Sequence, residues 1–172
     1  MRLLLLTLCI ILLGGNSLRL EAKKYFFSNY NFCHITEEAG LPNNSVTAVM
    51  KDSFGYIWVA TQDGLARYDG YRFLSYGVKE PFYRLKGNYV YTLCEDRQKR
   101  LWVGSEAGLD LIDLQTGLSV PASDLGAVSD LSSLFNSFVR SVVQTTDGNI
   151  WVVTDKMLWC LELDSSGAVT AF

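Results

Sequence analysis

The chain has 172 residues, 49% of them hydrophobic and 19% charged, with a formal net charge of -3. That length suffices for one domain with a real core, and the composition is that of a globular chain, not a disordered one. A charge so close to neutral gives no footing for a nucleic-acid or membrane-surface partner.

Residues 1–22 read as a secretory signal peptide. Met1-Arg2 is a short positive start, Leu3 to Leu13 is almost unbroken apolar, and Gly14, Gly15, Asn16 and Ser17 follow. A bilayer needs roughly 20 apolar residues, more than this run supplies. An uncleaved anchor is the alternative, but no stop-transfer flank follows. Cleavage after Ser17 and cleavage after Ala22 both fit. The exported part, residues 23–172, then holds Cys33, Cys94 and Cys160. These make no Cys-x-x-Cys motif and no Cys/His cluster, so nothing points to zinc, redox chemistry or any cofactor. Cys94 aligns with Met50 and Val143 and reads as an apolar core residue; a single disulfide is the other reading.

Beyond residue 40 one pattern returns three times. Without gaps, residues 46–69 lie over 90–113 and over 139–162, so that Trp58, Trp102 and Trp151 coincide, as do Leu65, Leu109 and Leu158. The tryptophans stand 44 and then 49 residues apart, a period that belongs to propellers and solenoids. Each copy reads as short strands. In the first, 46–51 is a half-alternating apolar run, IWVAT at 57–61 is β-branched and aromatic, and 65–68 and 73–76 complete a set of four. Gly55 and Gly148 mark turns after the first strand, and Asp63-Gly64 marks a hairpin, with Gly108 at the matching place. Asp52 and Asp96 precede these strands at repeat positions suited to turn capping. Asn43-Asn44-Ser45 is a formal glycosylation sequon that reads as a turn.

IWVAT and LWVGS are apolar on both faces of the strand, so both faces should be covered. A propeller blade, sandwiched between two neighbours, meets that demand, whereas a single solvated sheet would alternate cleanly. The expected fold is therefore all-β: three four-stranded blades of an incomplete propeller, at about 44–76, 88–120 and 137–172. The tryptophans should be buried between blades, except Trp159, which lies outside the repeat register and is a candidate for exposure. Residues 30–36 (YNFCHIT) line up with 71–77 (YRFLSYG) and read as a lone outer strand that closes a ring.

The run FCHITEEAGLPNNSVTAVMKDSFGYIWVATQDGLARYDG resembles the opening of the sensor region of Bacteroides-type hybrid two-component systems, built from two-component regulator propeller repeats. The likeness is carried by Phe32, His34, Gly40-Leu41, Asn44, Val46, Asp52, Gly55, Ile57-Trp58, Thr61 and Gly64-Leu65. It weakens in the second copy at Lys99 and Ser105, and in the third at Ser137, Thr145 and Met157. It implies an exported, periplasmic propeller that detects oligosaccharides and is anchored in the inner membrane by other parts of the receptor. It also implies further blades of the same receptor as partners and a homodimer of the full-length protein. No nucleic-acid contact falls to this portion.

Two other classes stay open. An exported propeller glycoside hydrolase would need two placed carboxylates. Glu37, Glu38, Asp52, Asp69, Asp96 and Asp113 are available, and Thr146–Trp151 looks faintly like the Asp-box of sialidases. A carbohydrate- or protein-binding propeller is the third class, without the Gly-His and Trp-Asp marks of WD40 repeats. His34 has no companion nucleophile, so no catalytic residue is assigned. For ligand contact the candidates are Phe82, Tyr83 and Arg84 in the connection at 79–86, together with Trp159; no metal ligand is proposed.

Overall fold

The computed structural model describes residues 32–121, Leu125 and 131–171. It divides into Met1–His34 and a second unit, Ile35–Phe172. The expected signal peptide and Tyr30-Asn31 lie outside the described residues, and residues 32–36 belong to no strand.

The second unit is three antiparallel sheets in an open arc. The first holds β1 (Val46–Lys51), β2 (Ile57–Thr61), β3 (Gly64–Tyr68) and β4 (Phe73–Tyr76), in that spatial order. The second holds β5 (Val90–Glu95), β6 (Arg100–Ser105) and β7 (Gly108–Asp113). The third holds β8 (Val139–Gln144), β9 (Ile150–Thr154), β10 (Leu158–Leu163) and β11 (Val169–Ala171). The middle sheet departs from the expected four strands. Its outer strand shrinks to one bridge between Ile112 and Ser119, because Pro121 soon follows and a proline cannot donate to a ladder. The connection beyond contains a helical turn, α1 (Leu131–Phe135), whose Leu131, Leu134 and Phe135 are buried.

Burial along the second strand of each sheet shows the sandwich. All of β6 is buried, whereas β9 alternates between buried and exposed residues and β2 is buried at Trp58, Ala60 and Thr61 but only half-buried at Ile57 and Val59. Side chains of β6 divide between two cores. Leu101 and Val103 join Trp58, Leu65, Tyr76 and Val90 between the first two sheets. Trp102 joins Val139, Val142, Ile150 and Val152 between the second and third. The tightness is visible at Gly104, where a Cβ would lie 2.6 Å from both Thr92 and Val139 side chains.

Three local devices repeat from sheet to sheet. Asp52 Oδ2 accepts the Trp58 indole N–H at 2.7 Å, and Asp96 Oδ2 accepts that of Trp102 at 2.8 Å, while their Oδ1 atoms cap the following turn. A hydroxyl closes each β2–β3-type hairpin: Thr61 donates to the Gly64 carbonyl, Ser105 to Gly108 and Thr154 to Met157. Ser105 thus performs the threonine's work. The third device latches neighbouring sheets. The Ser53 N–H donates to Glu95 at 2.8 Å, and the Arg97 N–H, one repeat on, donates to Gln144 at 3.1 Å.

Trp151 corrects the expectation of three equally buried tryptophans. Its register is equivalent, since it pairs with Val143 as Trp58 pairs with Met50 and Trp102 with Cys94. Yet it is 37% exposed, on an open apolar face with Val143, Val153, Met157 and Leu158. Trp58 and Trp102 are covered by the next sheet, and no described residue supplies one beyond β8–β11. Thr145 also replaces the aspartate that holds the other two indoles. Trp159 departs in the opposite sense. It pairs with Val152, faces the middle sheet and is only 9% exposed.

Candidate functional site

Because successive strands are antiparallel, each sheet sends two kinds of connection to one end. The tight hairpins β2–β3, β6–β7 and β9–β10 lie there with the long connections leaving β4 and the middle sheet. At the hairpins glycine is required by close approach: a Cβ on Gly64 would lie 2.7 Å from the Tyr76 carbonyl oxygen, and one on Gly108 only 2.1 Å from that of Phe135. The turn itself is Gln62-Asp63, not Asp63-Gly64, since Thr61 pairs with Gly64. Gly55 and Gly148 take positive φ in the opposite turns, and Lys99 does so in the middle sheet with φ 62°.

A cleft at the hairpin end has a volume of about 480 Å³ and is lined by Val78, Arg84, Leu85, Lys86, Ala107, Asp110, Ser119 and Asn136. Asp110, on β7, is its deepest charge, 7% exposed. Asp110 Oδ2 accepts the Lys86 backbone N–H at 2.9 Å; Oδ1 takes no hydrogen bond from the described residues. Burial pushes this carboxyl above its ordinary value, against the opposing pull of the Lys86 amide and ammonium. Lys86 Nζ donates to the carbonyls of Leu109 at 3.1 Å and Phe135 at 2.8 Å and sits 5.0 Å from the Phe135 ring centroid. Burial lowers its pKa, and the charge of Asp110 partly restores it.

Of the residues singled out in the sequence, Arg84 lines this cleft, and no described side chain engages its guanidinium. Phe82 is 78% exposed beside it. Tyr83 instead packs inward, its ring 4.9 Å from that of Tyr76, whose hydroxyl burial has pushed up to about 12. Trp159 borders a different cleft, of about 390 Å³, with Ser132, Ser133, Asn136 and Lys156. The sequence candidates therefore do not form one site.

A second feature went unseen in the sequence. At the start of the innermost strands Tyr89 stacks on Tyr91 at 4.3 Å, Tyr91 meets Phe138 at 4.8 Å, and Arg140 lies 4.8 Å over Phe138. All three inner strands carry a register shift here, at Thr47, Tyr91 and Arg140, and such bulges re-aim side chains. The signal was present in departures from the repeat. Ser45, Tyr89 and Phe138 share one position, and Ala66, Asp110 and Trp159 share another.

Of the carboxylates named for a hydrolase, all but Glu38 accept hydrogen bonds within the described residues. Asp69 and Asp113 each accept two backbone N–H groups of their own turns, as Asp52 does. Asp147 is held by Thr145 and Asn149 within the Asp-box-like turn. Glu37 exchanges hydrogen bonds with Asn44. Among the described residues no group of three or more metal-ligating side chains converges, and Cys33, Cys94 and Cys160 are free thiols.

The profile of the family described as "Two component regulator propeller" matches residues 40–63, 84–107 and 133–156, one segment in each sheet. These are two-component regulator propeller repeats. Histidine kinase P4 of Formosa agariphila is 36% identical to this chain over 67 residues, which is 39% of this chain and 5% of that protein. Among solved structures, the extracellular domain of the hybrid two component system BT3049 from B. thetaiotaomicron superposes with a TM-score of 0.64 at 24% identity, over 81% of this chain and 20% of that one. The extracellular domain of the one component system BT4673, from the same organism, gives 0.57 at 25%, over 77% and 17%. The regulator repeats of this chain thus span a small part of each relative. Among the described residues no helix is long and apolar enough to cross a membrane.

Proposed function

We propose that this chain is part of the exported, ligand-sensing portion of a hybrid two-component receptor, facing the periplasm and detecting oligosaccharides. The observation that carries the reading is the threefold repeat match, one per sheet, in a fold shared with the extracellular domain of a hybrid two component system. The chain itself contributes no catalysis in this reading; Asp52, Asp69, Asp96 and Asp113 cap turns, and kinase activity would belong to segments that the relatives carry elsewhere. The hairpin end, with its clefts and the aromatic row Tyr89–Tyr91–Phe138, offers flat rings and convergent polar groups of the kind that bind sugars. The open face bearing Trp151 and Leu158 receives a further blade of the same receptor, and a second receptor copy completes a homodimer.

The reading is tested in the native host. Disrupting this gene should abolish the transcriptional induction that one class of oligosaccharide produces. Unchanged transcription on every oligosaccharide supplied would overturn the sensor role.

A further inference from the structure

We propose that the cleft lined by Arg84, Lys86 and Asp110 is a subsite for a neutral, vicinally hydroxylated ring, with Asp110 Oδ1 as its acceptor and Arg84 as its donor. The inference rests on the sensor reading and gives it an address. Asp110 is the observation that starts it. A carboxylate 7% exposed, with one oxygen on the Lys86 N–H and the other taking no hydrogen bond from the described residues, is expensive to keep. The fold does not require it, because the same position in the first sheet is Ala66, fully buried in the same strand register. A costly group that the repeat can dispense with is explained by what it faces.

What it faces selects the ligand. The cleft of about 480 Å³ lies within the roughly 300–1,000 Å³ typical of small-molecule sites. Its walls combine apolar Val78, Leu85 and Ala107 with the unengaged Arg84 guanidinium, the Lys86 ammonium and Ser119. Two of the three Lys86 ammonium hydrogens are taken by carbonyls, leaving one. A carboxylate ligand would meet the buried charge of Asp110. An amine would meet Arg84 and Lys86. A hydroxyl is both donor and acceptor, so adjacent hydroxyls can donate to Asp110 Oδ1 while accepting from Arg84 and Lys86. The C–H face of the ring then lies against the apolar wall.

The test measures binding of the full chain, by calorimetry, to a panel of neutral di- to hexasaccharides of glucose, galactose, mannose, xylose and arabinose. Uronate and glucosamine oligosaccharides are run beside them. The expected result is a neutral oligosaccharide that binds and loses affinity about 10- to 100-fold in Asp110→Ala, as removal of a charged hydrogen-bond partner implies. Arg84→Ala, an exposed position that leaves folding alone, should also weaken it. Asp110→Ala should fold with an unfolding midpoint equal to or above that of the parent protein, since it restores the first sheet's residue. Neutral binding unchanged in both variants would overturn this subsite while leaving the sensor reading intact. Preference for the uronate or amine probes would overturn the hydroxyl assignment. Failure to bind any member of the panel would overturn the subsite together with the oligosaccharide reading on which it rests.

Discussion

The three equivalent tryptophans permit an internally controlled experiment, because one strand position meets three environments. Replacing Trp102 by Phe removes a 2.8 Å hydrogen bond to the Asp96 carboxylate from a fully buried site. A bond to a charged partner contributes about 1.5–3 kcal/mol. The lower end applies here, because Asp96 keeps both bonds from Arg100 and is not left unpaired. The space vacated by the larger ring adds a cavity cost of about 1–2 kcal/mol. The total is about 3 kcal/mol, a large share of a stability that is typically 5–15 kcal/mol. Trp58→Phe should cost more, about 4 kcal/mol, since the Phe54 and Tyr56 amides both bond Asp52 Oδ1 and no described residue but Trp58 donates to Oδ2. Trp151→Phe, on the open face with no aspartate, should change stability by less than about 0.5 kcal/mol. Urea unfolding of the three variants measures these differences from the midpoint at constant slope. Equal costs at Trp102 and Trp151, or no cost at Trp58 and Trp102, would show that neither the aspartate bond nor the covering sheet sets the worth of these indoles.

Other consequences are as direct. Lys99 holds the left-handed turn conformation that Gly55 and Gly148 hold in the other sheets, so Lys99→Gly should stabilise by about 0.5–1 kcal/mol, despite losing an exposed ion pair with Glu95. Burial raises the Glu95 carboxyl, but the bonds from Ser53 and Lys99 outweigh it and hold the pKa below its ordinary value of 4.5. Its stabilising contribution is therefore present above that value and lost as pH falls below it. Glu95→Gln, which copies the latch of Gln144, should remove that part of the acid sensitivity in unfolding curves taken between neutral pH and pH about 3. The open face of the third sheet should drive self-association, and Leu158→Lys, placing a charge at a site 60% exposed, should shift sedimentation profiles toward monomer.

The sheets were legible in the sequence because strand, turn and apolar frame recur together, and β1, β2 and β9 fall where the repeat places them. Burial was less legible. The residue at Trp151 matches Trp58, but whether an indole is covered depends on the next sheet, which a strand's own sequence does not contain. Trp159 misled for a related reason: the strand alternation that exposes Leu158 turns the following side chain inward. The outer strand of the middle sheet was lost to Pro121, a single residue within a stretch otherwise acceptable for a strand. Of the cleft, only Arg84 was anticipated, because a long polar connection advertises itself. Asp110 sits in a strand among apolar neighbours, and only comparison with Ala66 at the same repeat position marks it as unusual. The bulges at Tyr91 and Arg140 leave no local signature, since one added residue per strand shifts the period without changing composition.

A sensing surface should bind oligosaccharide and leave it intact. Incubating the purified chain with the neutral panel, and recovering both bound and free sugar for mass spectrometry, tests it most directly. The expected result is retention of one oligosaccharide class by the protein with its chain length unchanged after prolonged incubation. Shortened products that disappear when one aspartate or glutamate is replaced would contradict it and make the chain a hydrolase.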